Sequence, residues 1–167
     1  MAGLRRLAVQ VLIGEVGLTP AAAEAAVAQV WRTPDPVTTA HPLADLPALF
    51  STLRAHGLKI AVATSDDRAP TVATLAKLGL ADFVAALACG DDGAPIKPEP
   101  EMVLTLCRTL AVPPARTVMV GDNVADLKMG HAARVGLTVG VLSGVSSAKI
   151  LAPHADLILP TVAGLIE

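Results

Sequence analysis

The run Val118-Met119-Val120-Gly121-Asp122-Asn123-Val124-Ala125-Asp126 joins a short apolar segment to a helix start through a single glycine. A brief apolar run of this kind suits a strand covered on both faces, and a helix following it at once is the crossover that a parallel sheet needs. Asp122 and Asp126 stand four positions apart across the helix start, which stacks both carboxylates on one helix face. Carboxylate oxygens at a strand's end are what a Mg2+ ion seeks, because it prefers hard oxygen ligands and keeps several waters. Helix capping and compensation of the macrodipole account for the same two acids without a metal.

The same strand-and-helix alternation extends in both directions. Upstream, a helix from about Asp45 ends at Gly57 and Leu58 to Ala63 reads as a strand; a helix from about Pro70 ends at Gly79 and Phe83 to Ala88 reads as the next strand. Pro100 to Leu110 is helical, Thr117 to Val120 is a strand, and Val124 to Val135 is a helix closed by Gly136. Leu137 to Leu142 and Leu157 to Leu159 complete the set. This order predicts an α/β fold, a doubly wound, Rossmann-like parallel sheet with helices on both faces, over residues 41–167. Residues 1–40 read differently. Leu4, Leu7, Ala8, Val11 and Leu12 recur at helical spacing, and Thr19-Pro20 reads as an N-cap and first-turn proline before an Ala-rich run to Trp31. Thr33 to Pro42, with three prolines and no apolar period, is the expected linker.

Composition narrows the function. With 53% apolar and 17% charged residues in 167, the chain has ample apolar surface to order itself, which excludes disorder as the main state. Thirteen basic against fifteen acidic residues, no basic run beyond Arg5-Arg6 and no tyrosine predict no nucleic-acid partner. The longest charge-free stretch, between Arg134 and Lys149, is rich in Gly and Ser and too short to span a bilayer, so no membrane is expected. Arg5-Arg6 before Leu7 to Ile13 faintly imitates a signal peptide, but Glu15 interrupts it and no small-residue cleavage site follows, so an ordinary helix is expected. Cys89 and Cys107 lack companions at metal-ligand spacing, which fits a reducing cytoplasm.

In open parallel sheets ligands gather beyond the carboxyl ends of the strands. Thr64-Ser65 follows the strand ending at Ala63, and a hydroxyl beside helix-entry amides suits a phosphate oxygen, although Thr, Ser and Asp are equally at home as N-caps. Lys97 stands between Pro95 and Pro98, which restrict the chain so that it can present a fixed ammonium to an anion; an ordinary loop lysine is solvated. Asp91 and Asp92 are expected to be turn and surface residues. The four histidines share no spacing that suggests a site.

Taken in order, Ala61-Val62-Ala63-Thr64-Ser65, Ile96-Lys97-Pro98 and Val120-Gly121-Asp122-Asn123-Val124-Ala125-Asp126 resemble the haloacid dehalogenase-like hydrolase superfamily, most closely its phosphoglycolate phosphatase-like members. The resemblance implies a Mg2+-dependent phosphatase acting on small phosphorylated metabolites. In it Thr64, Lys97 and Asp122 would be catalytic. Thr64, Ser65 and Lys97 would bind phosphate, Asp122 would coordinate Mg2+, and Asp126 would support Lys97 or the metal. Residues 1–40 would be a partial helical cap. The family opens with an Asp-x-Asp motif carrying its nucleophile, and no Asp-x-Asp occurs in these 167 residues, whose first aspartate is Asp35. The resemblance therefore implies an incomplete or impaired hydrolase, or a non-catalytic relative that binds phosphate, Mg2+ or a protein. A receiver-like signalling domain shares the sheet, but the order of Thr, Lys and Gly-Asp disfavours it. The family's first strand would lie between the strands ending at Ala63 and Val120, so without it both would lose a partner edge. Two fillers are open: Ala8 to Ile13, where Val9, Val11 and Ile13 alternate although the helical pattern is the stronger, and a strand from a second subunit, which would make a homodimer.

Overall fold

The computed structural model describes residues 2–30 and 36–166. Asp35 and part of the expected linker lie outside the described residues. The chain forms two compact units, residues 1–39 and 40–167. In the first, α1 (Ala2–Gly14) packs on α2 (Pro20–Val30), followed by the short α3 (Pro36–Thr39). Thr19 Oγ1 accepts from the Ala22 N–H at 3.3 Å, so the threonine caps α2 and Pro20 occupies the first helical position, where its missing N–H is not needed. Val9, Ala23 and Val27 form the buried seam. Ala8 to Ile13 belongs to α1, so the alternating reading of that stretch as a strand does not hold. Its three-four apolar spacing places Val9 against α2, which a strand could not do with the same residues.

The second unit alternates helix and strand: α4 (Leu46–Ala55), β1 (Ile60–Ala63), α5 (Arg68–Lys77), β2 (Val84–Ala88), α6 (Glu101–Leu110), β3 (Val118–Gly121), α7 (Val124–Ala132), β4 (Leu137–Val141), α8 (Ala148–Leu151) and β5 (Leu157–Leu159). Asp45 caps α4 by accepting from the Ala48 N–H at 3.1 Å. Gly57 and Gly79 take φ of +76° and +70° just past α4 and α5, which only glycine adopts without strain. All strand pairings are parallel, as expected for an α/β fold. One buried cluster joins Ala88 of β2, the inner face of α6 (Met102, Val103, Leu106, Cys107), and Met129 and Ala133 at the end of α7; Ala63 of β1 and Met119 of β3 pack against it.

The strands fall into two sheets, β1-β2 and β3-β4-β5. β1 pairs only with β2 and β3 only with β4, so among the described residues each keeps an unpaired edge. Burial follows pairing. β4, flanked on both sides, has four of five residues buried, whereas β1 has none and β3 only Gly121; Val118 is 51% exposed. A row of unpaired N–H and C=O groups is a template for another strand.

Helix α7 is shorter than the sequence suggests. It ends at Ala132, and the left-handed residue after it is Arg134, at φ +57°, rather than Gly136. Gly136 is required for a different reason: a Cβ there would strike the Ala115 carbonyl, 3.1 Å from its carbon.

Before β5, Asp156 accepts from both the N–H and the hydroxyl of buried Thr138, each at 2.7 Å, and returns its own N–H to the Thr138 carbonyl at 2.9 Å. The Thr138 hydroxyl, then its amide, hold the Asp156 carboxyl below its ordinary value. A depressed folded value means that this contribution is fully present above the unfolded pKa, about 3.9, and is lost as pH falls through the folded value. Thermal melting is expected to show an acid limb below about pH 4 that Asp156→Asn flattens. An unchanged acid limb would assign the acid sensitivity elsewhere.

Candidate active site

Register sets the site. Ala63 lies opposite Ala88 and Gly121 opposite Gly140, so the segments leaving the strands begin at matched levels within each sheet. Beyond β3 come Asp122 and the α7 entry, where Asn123 Oδ1 caps Ala125 N at 3.0 Å. Beyond β1 come Thr64 and Ser65, and beyond β2 a turn leads to Lys97.

The sequence left two roles open for Asp126, and the geometry gives its contact. Lys97 Nζ lies 2.7 Å from Asp126 Oδ1 in a largely buried ion pair, with side-chain exposures of 16% and 9%. Gly121 makes room for it: a Cβ there would collide with the Asp126 Cβ and lie 2.8 Å from its Cγ and Oδ2. An ammonium has three donors. Asp126 takes one and anchors the head group, and among the described residues the other two have no protein partner.

Asp122 is held separately. Its Oδ2 accepts from the Val145 N–H at 2.9 Å, in the segment that follows β4. A Cβ on Gly144 would overlap the Asp122 side chain. Gly144→Ala is therefore expected to leave the thermal midpoint nearly unchanged, since Gly144 is exposed, while displacing the Asp122 carboxylate and weakening Mg2+ binding measured by calorimetry. Wild-type Mg2+ affinity in that variant would show that Asp122 does not hold the ion.

The donors present suit a water-rich Mg2+ site and not a protein cage. Among the described residues no group of three or more His, Cys, Asp or Glu is placed to hold a metal. Mg2+ commonly takes one or two carboxylates, with waters and phosphate oxygens filling the remainder. Asp122 meets that requirement, while Asp126 has one oxygen committed to Lys97.

Thr64 continues the β1–β2 ladder, its N–H donating to the Ala88 carbonyl at 2.9 Å. Its hydroxyl oxygen accepts from Asp66 N at 3.1 Å, and among the described residues its side-chain partner is Asp66 Oδ2, at 3.4 Å. Among the described residues no hydrogen bond or ion pair links Thr64 or Ser65 to Lys97, Asp122 or Asp126. The structure thus brings Lys97 and Asp126 together directly and leaves Thr64 and Ser65 at the end of β1 and Asp122 at the end of β3, in separate sheets.

Asp91 and Asp92 do more than the turn and surface roles expected of them. Asp91 Oδ1 accepts from the Arg68 N–H at 2.9 Å, so a distant carboxylate takes an amide at the α5 entry that the sequence offers to phosphate; the local N-cap, Asp67, makes no side-chain cap bond. Asp92 binds the Arg68 guanidinium in a fork, 2.9 Å to Nε and 2.6 Å to Nη2. The Arg68 guanidinium, then the Cys89 amide, hold the Asp92 carboxyl below its ordinary value. Burial pushes the Cys89 thiol up, which keeps it protonated and poorly nucleophilic. Residues 23 and 24 positions apart carry these bonds, so only the preference of Asp for helix entries hinted at them.

The haloacid dehalogenase-like hydrolase family model matches residues 3–134, more than half of the chain. The chain belongs to that family. It is 35% identical over 106 residues to a phosphoglycolate phosphatase of Rhodospirillum rubrum, covering 64% of this chain and 44% of that protein. It is 30% identical over 122 residues to a phosphoglycolate phosphatase of Agrobacterium fabrum, covering 71% and 52%. The chain thus spans about half the length of these curated relatives. A predicted phosphoglycolate phosphatase from Haemophilus somnus, of known crystal structure, shares the fold with a TM-score of 0.81 at 20% identity, over 99% of this chain and 76% of that one.

Proposed function

We propose that this family member provides the phosphate- and Mg2+-binding part of a phosphatase for small phosphorylated metabolites, with phosphoglycolate-like monoesters as the leading class. The buried Lys97–Asp126 pair carries the reading, because it anchors an ammonium with donors to spare beyond the strand ends. Lys97 neutralises charge on the phosphoryl group, the Thr64 hydroxyl and Ser65 contact its oxygens, and Asp122, with Asp126 behind it, holds Mg2+. Mg2+ held there would supply positive charge between the Asp122 carboxylate and the phosphate oxygens. The resemblance to phosphoglycolate phosphatases supports the substrate class.

These groups stabilise charge without attacking phosphorus. Phosphoryl transfer through an aspartyl-phosphate needs a carboxylate nucleophile, and none of the residues assigned here plays that part. We place the attacking group outside these 167 residues. The unpaired edges of β1 and β3 suit a strand that brings it, and one from a second copy would make the protein a homodimer. Two unpaired cysteines favour a cytoplasmic setting, and among the described residues no helix is long and apolar enough to cross a membrane.

Titration with inorganic phosphate in the presence of Mg2+ tests the reading. Saturable binding that Lys97→Ala lowers at least tenfold is expected. Absence of binding to folded protein, or equal binding by the variant, would overturn it.

A further inference from the structure

Arg68 has no role in the chemistry above, yet it makes four hydrogen bonds across the interval between the two anion-facing segments. Its N–H binds Asp91, its Nε and Nη2 bind the two oxygens of Asp92, and Nη2 also donates to the Leu87 carbonyl at 3.1 Å. Asp92 Oδ2 in turn accepts from the Cys89 N–H at 2.8 Å. Beside this network the segments leaving β1 and β2 touch through their backbones. Gly90 N–H donates to the Asp66 carbonyl at 2.9 Å, and a Cβ on Gly90 would strike the Ser65 carbonyl, 2.9 Å from its carbon. The contact is too close for any residue but glycine, so the separation of the two segments has little freedom.

We infer that Arg68 is a positioning residue: its fork to Asp92, with Asp91 on its amide, clamps the Thr64-Ser65 segment to the segment leading to Lys97 and so sets the geometry in which both meet one phosphate. This rests on the phosphate-binding reading above. The guanidinium is half-exposed, and an exposed ion pair adds little to stability. Its effect lies in direction. A planar fork holds a carboxylate bidentately and fixes its angle, which an ammonium at the same place does not. Binding sites lose affinity when supporting contacts let their donors drift by an ångström or so.

The test compares inorganic phosphate affinity in Mg2+ with the thermal midpoint for Arg68→Ala, Arg68→Lys, Asp92→Asn and the exchanged pair Arg68→Asp with Asp92→Arg, well below every midpoint. Arg68→Ala is expected to weaken phosphate binding about tenfold while the protein stays folded, Arg68→Lys to recover little of it, and the exchanged pair to recover more than either single charge change. Tight binding by wild-type protein with unchanged affinity in Arg68→Ala would overturn the positioning role alone. A shifted midpoint without a shift in affinity would do the same, assigning Arg68 to stability only. No phosphate binding by the wild-type chain would instead overturn the underlying reading, and the clamp with it.

Discussion

Lys97→Ala is expected to lower the stability of the chain by about 3–5 kcal/mol, the usual effect of removing one partner from a buried ion pair, out of a total margin of about 5–15 kcal/mol. Asp126 is 7% exposed, and removing Lys97 takes away the cation 2.7 Å from its carboxylate. The double replacement Lys97→Met with Asp126→Asn separates folding from binding. It removes both charges, so it is expected to regain most of the stability while still failing to bind phosphate. Urea unfolding gives the first quantity and phosphate titration the second. A single variant as stable as wild type would show that the pair is solvated in solution.

Gly121→Ala is expected to be the next most damaging change, by about 1–3 kcal/mol, the ordinary range for forcing an extra methyl into a packed site. Its Cβ would collide with the Asp126 side chain, and the glycine belongs to β3, whose pairing with Gly140 leaves the backbone little room to retreat. Asp126 must then move, and it carries Lys97 with it. Loss of stability is expected together with loss of phosphate binding, read by the same two measurements. Full phosphate affinity in a destabilised Gly121→Ala would show that Lys97 does not depend on Asp126 for its position.

Much of this architecture was readable because it is local. β5 spans Leu157–Leu159 as its apolar run indicates, and the glycines after α4 and α5 mark turns in which positive φ is required. Gly136 suggests a helix cap, but α7 ends at Ala132 and the glycine's absent side chain answers to a carbonyl twenty-one residues upstream, at Ala115. The four-residue α8 is too short to show a period and was not anticipated. At the site, the spacing of Asp122 and Asp126 suggests one shared helix face, but α7 begins at Val124 behind the Asn123 cap, so only Asp126 is on the helix and each carboxylate has its own partner: Lys97 for Asp126 and the Val145 amide for Asp122. Asp91 and Asp92 looked like turn residues because the partner that occupies them, Arg68, lies on another element. The division into two sheets was foreshadowed only through family resemblance, since no local pattern reveals a strand's missing neighbour.

On the reading proposed above, these residues hold a phosphoryl group and Mg2+ but leave the attack to a group from elsewhere. Steady-state hydrolysis of an aryl phosphate by the folded 167-residue chain, with and without Mg2+ and beside Lys97→Ala, tests it most directly. The expected result is phosphate binding without turnover by the chain alone. Mg2+-dependent turnover that Lys97→Ala abolishes would contradict it, because the nucleophile would then reside among these residues.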